Sequence, residues 1–306
     1  MIENGTQIVV KAKFGRKKYL KSKTTPLYPF SAEREVKRVS DSYMRNLGDV
    51  LKISMKKISE VYKEEAKNER LDDKQDANEK VNQEIKDASR ALEVALGAFG
   101  LSALMGKVAL MAEKSSLSEW KRCVKNTLGI ELEDGYYIGN LYNEIVQKWM
   151  SDMLGEIQDL PQRGLEEINS IIVNGIYRGL SLTEIKKQVA NKYSEMKRRA
   201  RAKSVLLIAM LCGSLARINQ EDAGCSKYIW CTRRDSRVRE CHRELEGKVC
   251  EWNNPPAMWY RHKNGQKIYT GRYCNPGEDY GCRCVGLPIF DYDNISLPIK
   301  GVYDNG

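Results

Sequence analysis

Apolar residues recur every three or four positions over long stretches of the first two thirds of the chain. One such stripe consists of Leu47, Val50, Leu51, Met55, Ile58, Val61 and Tyr62. This spacing places the apolar side chains on one face and predicts a long amphipathic helix. Residues 72–90 are almost entirely polar and predict an exposed helix or loop. The uncharged apolar run at 94–106 is shorter than the roughly 18 residues of a membrane span and favours a buried helix.

Two local signals mark helix ends in the middle of the chain. Ser181 and Glu184 have the spacing of a capping box, in which each side chain satisfies an amide at a helix start. A further helix is expected from about Arg198 to Asp222, where Gly224 is placed to end it. Its basic first turns are read as a solvated face, with a phosphate-binding strip as the alternative. Residues 31–222 are therefore expected to be helical and, because their helices are amphipathic, to carry a docking interface for a partner.

Beyond Gly224 the pattern changes to short segments broken by glycine and proline. Residues 228–230 resemble a strand, and residues 235–246 resemble a charged helix. The predicted fold is a mostly α amino-terminal region followed by a small, loop-rich α+β carboxyl-terminal domain over residues 223–306.

The charge is uneven along the chain. There are 51 basic and 41 acidic residues, a net charge of +10 that favours an acidic partner. Residues 1–30 carry seven basic side chains against Glu3 alone and are expected to form an extended basic arm that contacts DNA or an acidic surface. The candidate DNA-binding residues are Lys11, Lys13, Arg16, Lys17 and Lys18.

Cysteine is concentrated near the carboxyl end. The start of the chain does not resemble a signal peptide, so we expect folding in a reducing cytoplasm. Of nine cysteines, seven lie between Cys225 and Cys284. In a reducing compartment this density indicates metal ligation or buried thiols before disulfides.

A constellation of residues in the last 80 positions resembles a known family. It consists of Tyr228, Trp230, Thr232, Asp235-Ser236-Arg237-Val238-Arg239, His242, Leu245, Gly247, Trp252, Pro255-Pro256, Pro276-Gly277-Glu278 and Cys282-Arg283-Cys284. In order and spacing it resembles the phage Mu F-like minor head proteins, also called the phage head morphogenesis domain. Tyr28-Pro29-Phe30 before an acidic helix agrees more loosely.

The resemblance implies a minor capsid protein of a tailed bacteriophage. Such a protein lies inside the head near the portal, is present in the host cytoplasm during assembly, and assists head assembly and genome packaging or ejection. The implied partners are the portal protein, other head or scaffold proteins and packaged double-stranded DNA. No membrane partner is expected.

The resemblance also implies a candidate zinc site. Relatives often carry Cys-x-x-Cys where this chain has Arg239 and His242, and histidine where it has Asp279. The remaining ligand types are His242, Cys282 and Cys284, and zinc needs a fourth, for which Cys274 is the choice and Cys241 or Asp279 the alternatives.

The other interpretation of this region needs no metal. Asp235, Arg237 and Arg239 would form an ion-pair network that fixes their helix against the 282–284 loop.

Enzyme templates are missing from the sequence. It has two histidines and contains no G-x-S-x-G, P-loop or H-E-x-x-H string, which predicts no catalytic activity. The alternative function is a metal-stabilised nucleic-acid-binding protein, or a metal-dependent nuclease, acting outside a particle. Copurification with portal and procapsid, rather than with DNA alone, would separate the two.

Overall fold

The computed structural model describes residues 5–15, 18–26, 28–65, 71–133, 135–136, 139–279 and 281–300. The helices within these residues are α1 Gly5–Phe14, α2 Phe30–Glu65, α3 Leu71–Ala98, α4 Leu101–Leu128, α5 Gly139–Gln158, α6 Leu160–Tyr177, α7 Leu182–Asp222 and α8 Glu240–Leu245. The strands are β1 Tyr19–Lys21, β2 Lys227–Cys231, β3 Val249–Glu251, β4 Ala257–Arg261, β5 Lys267–Tyr273 and β6 Val285–Asp291. The predicted fold class is confirmed.

The chain forms two compact units, each assembled from segments that lie far apart in sequence. The helical unit consists of Arg34–Lys107 and Met150–Val205. The mixed unit consists of Met1–Glu33, Val108–Trp149 and Leu206–Gly306. This division does not follow the expected boundaries at residues 30 and 222, because the amino-terminal segment shares a core with the carboxyl-terminal strands.

The helical unit is built from the apolar stripes of α2, α3, α6 and α7. Met44, Leu47 and Ile58 of α2 are fully buried and share one core with Leu165 and Ile168 of α6. The predicted capping box is present at the start of α7. The Glu184 amide donates to Ser181 Oγ at 3.3 Å, and the Ser181 amide donates to Glu184 Oε2 at 3.0 Å.

The structure corrects the predicted start of one helix and confirms its predicted end. The separate helix expected from Arg198 is wrong, because α7 runs unbroken from Leu182 through a stretch without proline or an internal cap. Gly224 ends α7 as predicted, with φ of 77° and its amide bonded to Glu221 O at 3.0 Å. A Cβ at Gly224 would collide with the backbone carbonyl of Asn294, so only glycine fits at this position.

The polar residues 72–90 lie within α3. The single buried helix expected over 94–106 is wrong. The chain turns at Phe99 and Gly100, where Gly100 has a positive φ, and Val94 is 73% exposed.

One described helix, α7, holds a stretch that could cross a membrane by length and composition alone, and the bent α3–α4 pair passes the same test together. Ile208, Leu211 and Leu215 of α7 are at most 1% exposed within the protein, as in a core helix. The absence of a membrane partner remains a prediction.

The mixed unit contains a four-stranded antiparallel sheet in the order β1-β6-β2-β3. The amino-terminal segment is part of this unit, because β1 pairs with β6 in the register Tyr19↔Asp291. Thr6 Oγ1 donates to Leu297 O at 2.7 Å, and Val10 is fully buried. The expectation of an extended arm is therefore wrong for residues 5–14, which form α1 with one side packed in the core.

A second, smaller core lies beside the sheet and supports the candidate site. It contains Tyr228, Trp230, Cys241, Trp252, Met258, Trp259, Cys282 and Cys284. The β4–β5 hairpin contributes Met258 and Trp259.

The helix expected from residue 235 begins only at Glu240. Asp235 instead closes a turn, in which its Oδ1 accepts the Arg237 amide at 3.1 Å and its carbonyl accepts the Val238 amide at 3.1 Å.

Candidate metal centre and its ion-pair frame

Three buried side chains converge where α8 meets the loop before β6. His242 lies on α8, and Cys282 and Cys284 lie on the loop. One ligand atom from each falls within 4.8 Å of the other two, and the three residues are 2%, 2% and 4% exposed. Trp230 of β2 covers the imidazole, with ring centroids 5.4 Å apart. The sequence-predicted ligands His242, Cys282 and Cys284 are thus brought together.

The spacing of these atoms fits a tetrahedral ion. His242 Nδ1 lies 3.7 Å from Cys284 Sγ. Two ligands on one zinc ion, a nitrogen at about 2.1 Å and a sulfur at about 2.3 Å, are separated by about 3.6 Å at the tetrahedral angle. The donor set is also the one that structural zinc prefers. Small ligand movements would suffice to place an ion among the three.

The thiol of Cys282 is set up to carry negative charge. Its Sγ accepts the amides of Gly277 at 3.3 Å and Cys284 at 3.5 Å. The hydrogen bond from the Cys284 thiol, with a further contribution from His242, outweighs burial and lowers the pKa of Cys282. The same hydrogen bond and burial raise the pKa of Cys284. A thiolate is the form that binds a metal.

The imidazole is held in its charged form in the absence of metal. Burial opposes that charge, but hydrogen bonds to Cys241 and Cys282 outweigh it and raise the pKa of His242 to about 9. The pKa of Cys241 is lowered, because contacts with His242 outweigh its burial. Binding of a metal ion through Nδ1 would displace the proton from that nitrogen.

Asp279 lies on the other side of the imidazole. Its Oδ2 is 3.4 Å from His242 Nε2, and its side chain is 1% exposed. Arg272 Nη1 donates to Asp279 Oδ1 at 2.6 Å, and Arg239 binds Oδ2. A carboxylate on the second nitrogen of a metal-binding histidine fixes the orientation of the ring. Asp279 therefore holds the position of a supporting partner of His242, and it forms an ion pair with Arg239.

A second ion pair ties the turn before α8 to the cysteine loop. Arg283 donates to both oxygens of Asp235, from Nη2 to Oδ1 and from Nη1 to Oδ2, each at 2.8 Å. Hydrogen bonding from Arg283 lowers the pKa of Asp235 to about 2. Arg237 contributes less, since its guanidinium is 3.6 Å from Asp235 and 77% exposed. The frame around the three ligands thus consists of two separate groups of ion pairs, one on Asp279 with Arg239 and Arg272 and one on Asp235 with Arg283.

The region that contains this site matches a known family. Residues 166–287 match the family model described as phage Mu protein F like protein. We call this matched range the Mu F-like domain. The matched range begins inside α6 and ends inside β6, so it includes β2, α8 and the cysteine loop. The sequence resemblance is confirmed over these residues.

One further relative is an uncharacterized protein of Haemophilus influenzae. It is 28% identical over 171 residues, which are 55% of this chain and 34% of that protein. The chain therefore spans about a third of the length of this relative. No solved structure matches.

A buried contact joins the Mu F-like domain to the start of α2, which lies outside the matched range. Arg233 pairs with Glu33, and both side chains are almost fully buried, at 10% and 6% exposure. The Arg233 guanidinium lies 4.6 Å from the ring centre of Tyr28 and 4.7 Å from that of Phe30. Tyr28 Oη also donates to Thr232 O at 2.5 Å. The sequence analysis missed this pair, although the Tyr28-Pro29-Phe30 motif was its visible signal.

The remaining predicted site residues have varied surroundings. Cys274 is half-buried and is not part of the three-residue group. Lys11 Nζ lies 3.2 Å from Asp293 Oδ1, and Lys13 Nζ donates to Gly129 O at 3.1 Å. Lys18 lies 5.4 Å from the centre of the Tyr19 ring, and Arg16 and Lys17 lie outside the described residues.

The basic residues of α7 that follow Arg198, where the sequence predicted a separate helix, form ion pairs. Arg199 pairs with Glu195, and Lys203 pairs with Glu156. Arg201 pairs with Asp41. Three of these cations therefore have carboxylate partners within the chain, which favours the solvated face over a phosphate-binding strip.

Proposed function

We propose that this chain is a minor head protein of a tailed bacteriophage that lies inside the head, associates with the portal, and assists head assembly and genome packaging or ejection. The Mu F-like match over residues 166–287 is the observation that carries this proposal. The portal protein and other head proteins are the proposed partners. The amphipathic helices of the helical unit supply surfaces suited to such contacts.

The proposed role is structural and not enzymatic. Cys282 and His242 resemble a nucleophile and its base, but both are 2% exposed. Cys282 shares a core with Trp230, Trp252 and Trp259, and Trp230 also packs on His242. The cavity that His242, Cys282 and Cys284 line has a volume of only about 10 Å³, which is too small for a substrate. We therefore assign this pair to ligation.

We further propose that His242, Cys282 and Cys284 hold a structural zinc ion. The 3.7 Å separation of Nδ1 and Sγ, the amide hydrogen bonds to Cys282 and the carboxylate behind His242 support it. Zinc would hold α8 against the cysteine loop. Cys274 remains the proposed fourth ligand and would have to approach the group on binding.

Localisation in the particle tests the head assignment. Cryo-electron microscopy of procapsids and mature heads, with the gene intact or deleted, should show density at the portal vertex that is lost on deletion. The purified chain should also cosediment with procapsids that contain portal. Cosedimentation with DNA but not with procapsids would contradict a head role and favour a nucleic-acid-binding protein outside the particle.

The basic amino-terminal residues are proposed to contact packaged DNA. Changing Lys11, Lys13, Arg16, Lys17 and Lys18 to glutamine should weaken duplex binding. Each lost phosphate contact should reduce the salt dependence of the binding constant by a slope of about 0.9. Because Lys11 and Lys13 have partners inside the protein, a triple variant that changes only Arg16, Lys17 and Lys18 should show most of the loss of DNA binding seen in the five-residue variant.

Fluorescence anisotropy over a salt series measures this slope. Lys187 and Arg198, which are both exposed, are changed to glutamine as the control for general loss of charge. An unchanged slope in the five-residue variant would exclude DNA contact by this segment.

A further inference from the structure

The helical unit has a groove between α2 and α7 that no part of the proposed head role yet uses. It has a volume of about 500 Å³ and is open to solvent along one side. Its lining runs from Gly48 to Lys63 on α2 and from Lys186 to Tyr193 on α7. The α2 side is about 22 Å long at 1.5 Å per residue, the length of about four helical turns.

The floor of the groove is apolar. Leu51, Met55 and Val189 are 5%, 8% and 5% exposed, so each shows a small surface there. The polar atoms of the floor are already used, since Tyr193 Oη donates to Met44 O at 3.3 Å and Ser59 Oγ donates to Met55 O. An occupant would therefore meet mostly hydrocarbon and a flexible thioether, which adapts to the shape of apolar side chains.

Glycine at position 48 makes this floor possible. A Cβ at Gly48 would lie 2.5 Å from Tyr193 Oη and 2.8 Å from Cζ of the same ring. The tyrosine can lie flat against α2 only because this side chain is absent. The groove is consequently a product of the packing of α2 on α7.

The rim of the groove is strongly basic. It carries Lys52, Lys56, Lys63 and Lys186 against Glu60 alone. Among the residues that the structure describes, these four lysines have no carboxylate partner within ion-pair distance. Neighbouring lysines outside the rim do have carboxylate partners. Lys57 binds Glu84 at 3.0 Å, and Lys192 binds Glu167. Four unpaired cations beside one apolar floor indicate an occupant with acidic side chains flanking an apolar stripe.

We propose that this groove receives an acidic amphipathic helix of another head protein. The apolar face of that helix would lie on Leu51, Met55 and Val189, and its flanking carboxylates would meet the lysines. This inference rests on the proposed head role for the source of the helix, and it names the chemistry of the partner. Duplex DNA could use the lysines but would leave the apolar floor uncovered, which is why a protein helix is favoured.

A synthetic peptide tests the chemistry of the groove directly. The probe is a helical peptide of about 18 residues with leucine along one face and glutamate beside it, and a second peptide has lysine in place of glutamate. The full-length chain should bind the acidic peptide at least about tenfold more tightly than the basic one. Equal affinity for both peptides would overturn the proposal.

Paired variants locate the binding. Lys56→Glu with Lys186→Glu should weaken binding of the acidic peptide at least about tenfold. Lys148→Glu with Lys187→Glu makes the same charge change at exposed positions outside the groove and should leave binding within about twofold. Ala190→Trp should fill the groove without changing charge and should weaken binding, whereas Ala202→Trp at an exposed site on α7 should not.

Two further measurements separate the possible failures. If duplex DNA, but not the acidic peptide, loses affinity in the groove variants, the groove binds nucleic acid and the helix proposal is overturned. Cosedimentation with procapsids tests the head role separately. Wild-type chain that fails to cosediment contradicts that role, while groove variants that cosediment as well as wild type contradict the groove as the docking site.

Discussion

Replacing Cys282 by serine is expected to abolish stoichiometric zinc binding and to loosen the Mu F-like domain around α8. Cys282 is the ligand candidate whose thiolate is best supported, by the amides of Gly277 and Cys284. A hydroxyl in its place is a poor zinc ligand, and an affinity loss of a hundredfold or more corresponds to about 2.7 kcal/mol. Because structural metal binding contributes directly to folding, the loss should appear as lower stability.

Two measurements check this expectation. Elemental analysis of purified chain should give about one zinc per wild-type molecule and none for Cys282→Ser. Thermal unfolding with and without chelator should show a chelator-sensitive transition in the wild type only. Cys250→Ser changes a half-buried cysteine outside the three-residue group and is the matched control. Cys274→Ser tests the fourth ligand, since it should reduce zinc affinity if Cys274 approaches the ion.

The ion-pair interpretation predicts the opposite zinc content and chelator sensitivity for the wild type. If the frame is held by Asp235 and Arg283 instead of metal, the wild type should carry no zinc and resist chelator. Asp235→Asn, which weakens the two hydrogen bonds from Arg283, should then be more damaging than Cys282→Ser. That pair of results would exclude the zinc site.

Local signals in the sequence predicted local features well. The capping box at Ser181 and the helix end at Gly224 depend on residues within one turn of each other. The start of α8 was placed five residues too early, at 235 instead of Glu240, because a turn closed by Asp235 has the same composition as a charged helix. Similarly, basic residues after Met196 resembled a new helix start although α7 continues through them.

Features that join distant segments could not be derived from periodicity. The pairing of β1 with β6 and the burial of Val10 bring the first residues of the chain to its last strand. A three-residue strand and one helix face carry no signal of their partners. The grouping of His242 with Cys282 and Cys284 came from the family resemblance, since the 39 residues between His242 and Cys282 leave their distance undetermined by spacing. The supporting role of Asp279 emerged only from its position beside Nε2.

Changing Arg233 to methionine is expected to destabilise the mixed unit by about 3 kcal/mol. The change removes the guanidinium that pairs with the buried Glu33 carboxylate and packs against Tyr28 and Phe30. Removing one member of a buried pair typically costs about 3–5 kcal/mol because the other charge loses its compensation. Glu33 lies in the first turn of α2, where the helix dipole favours a carboxylate, so the lower end of that range is expected.

Chemical denaturation of the full chain measures this effect. Arg234→Met is the matched control, since Arg234 is the next residue, is 80% exposed and pairs with Glu246. An exposed pair of this kind contributes at most about 1 kcal/mol. The double variant Glu33→Leu with Arg233→Met should recover much of the lost stability, because no buried charge is left without its partner. A loss for Arg233→Met no larger than that for Arg234→Met would show that the pair does not hold the start of α2 to the Mu F-like domain. Full additivity of the two single variants would show that Glu33 and Arg233 act independently.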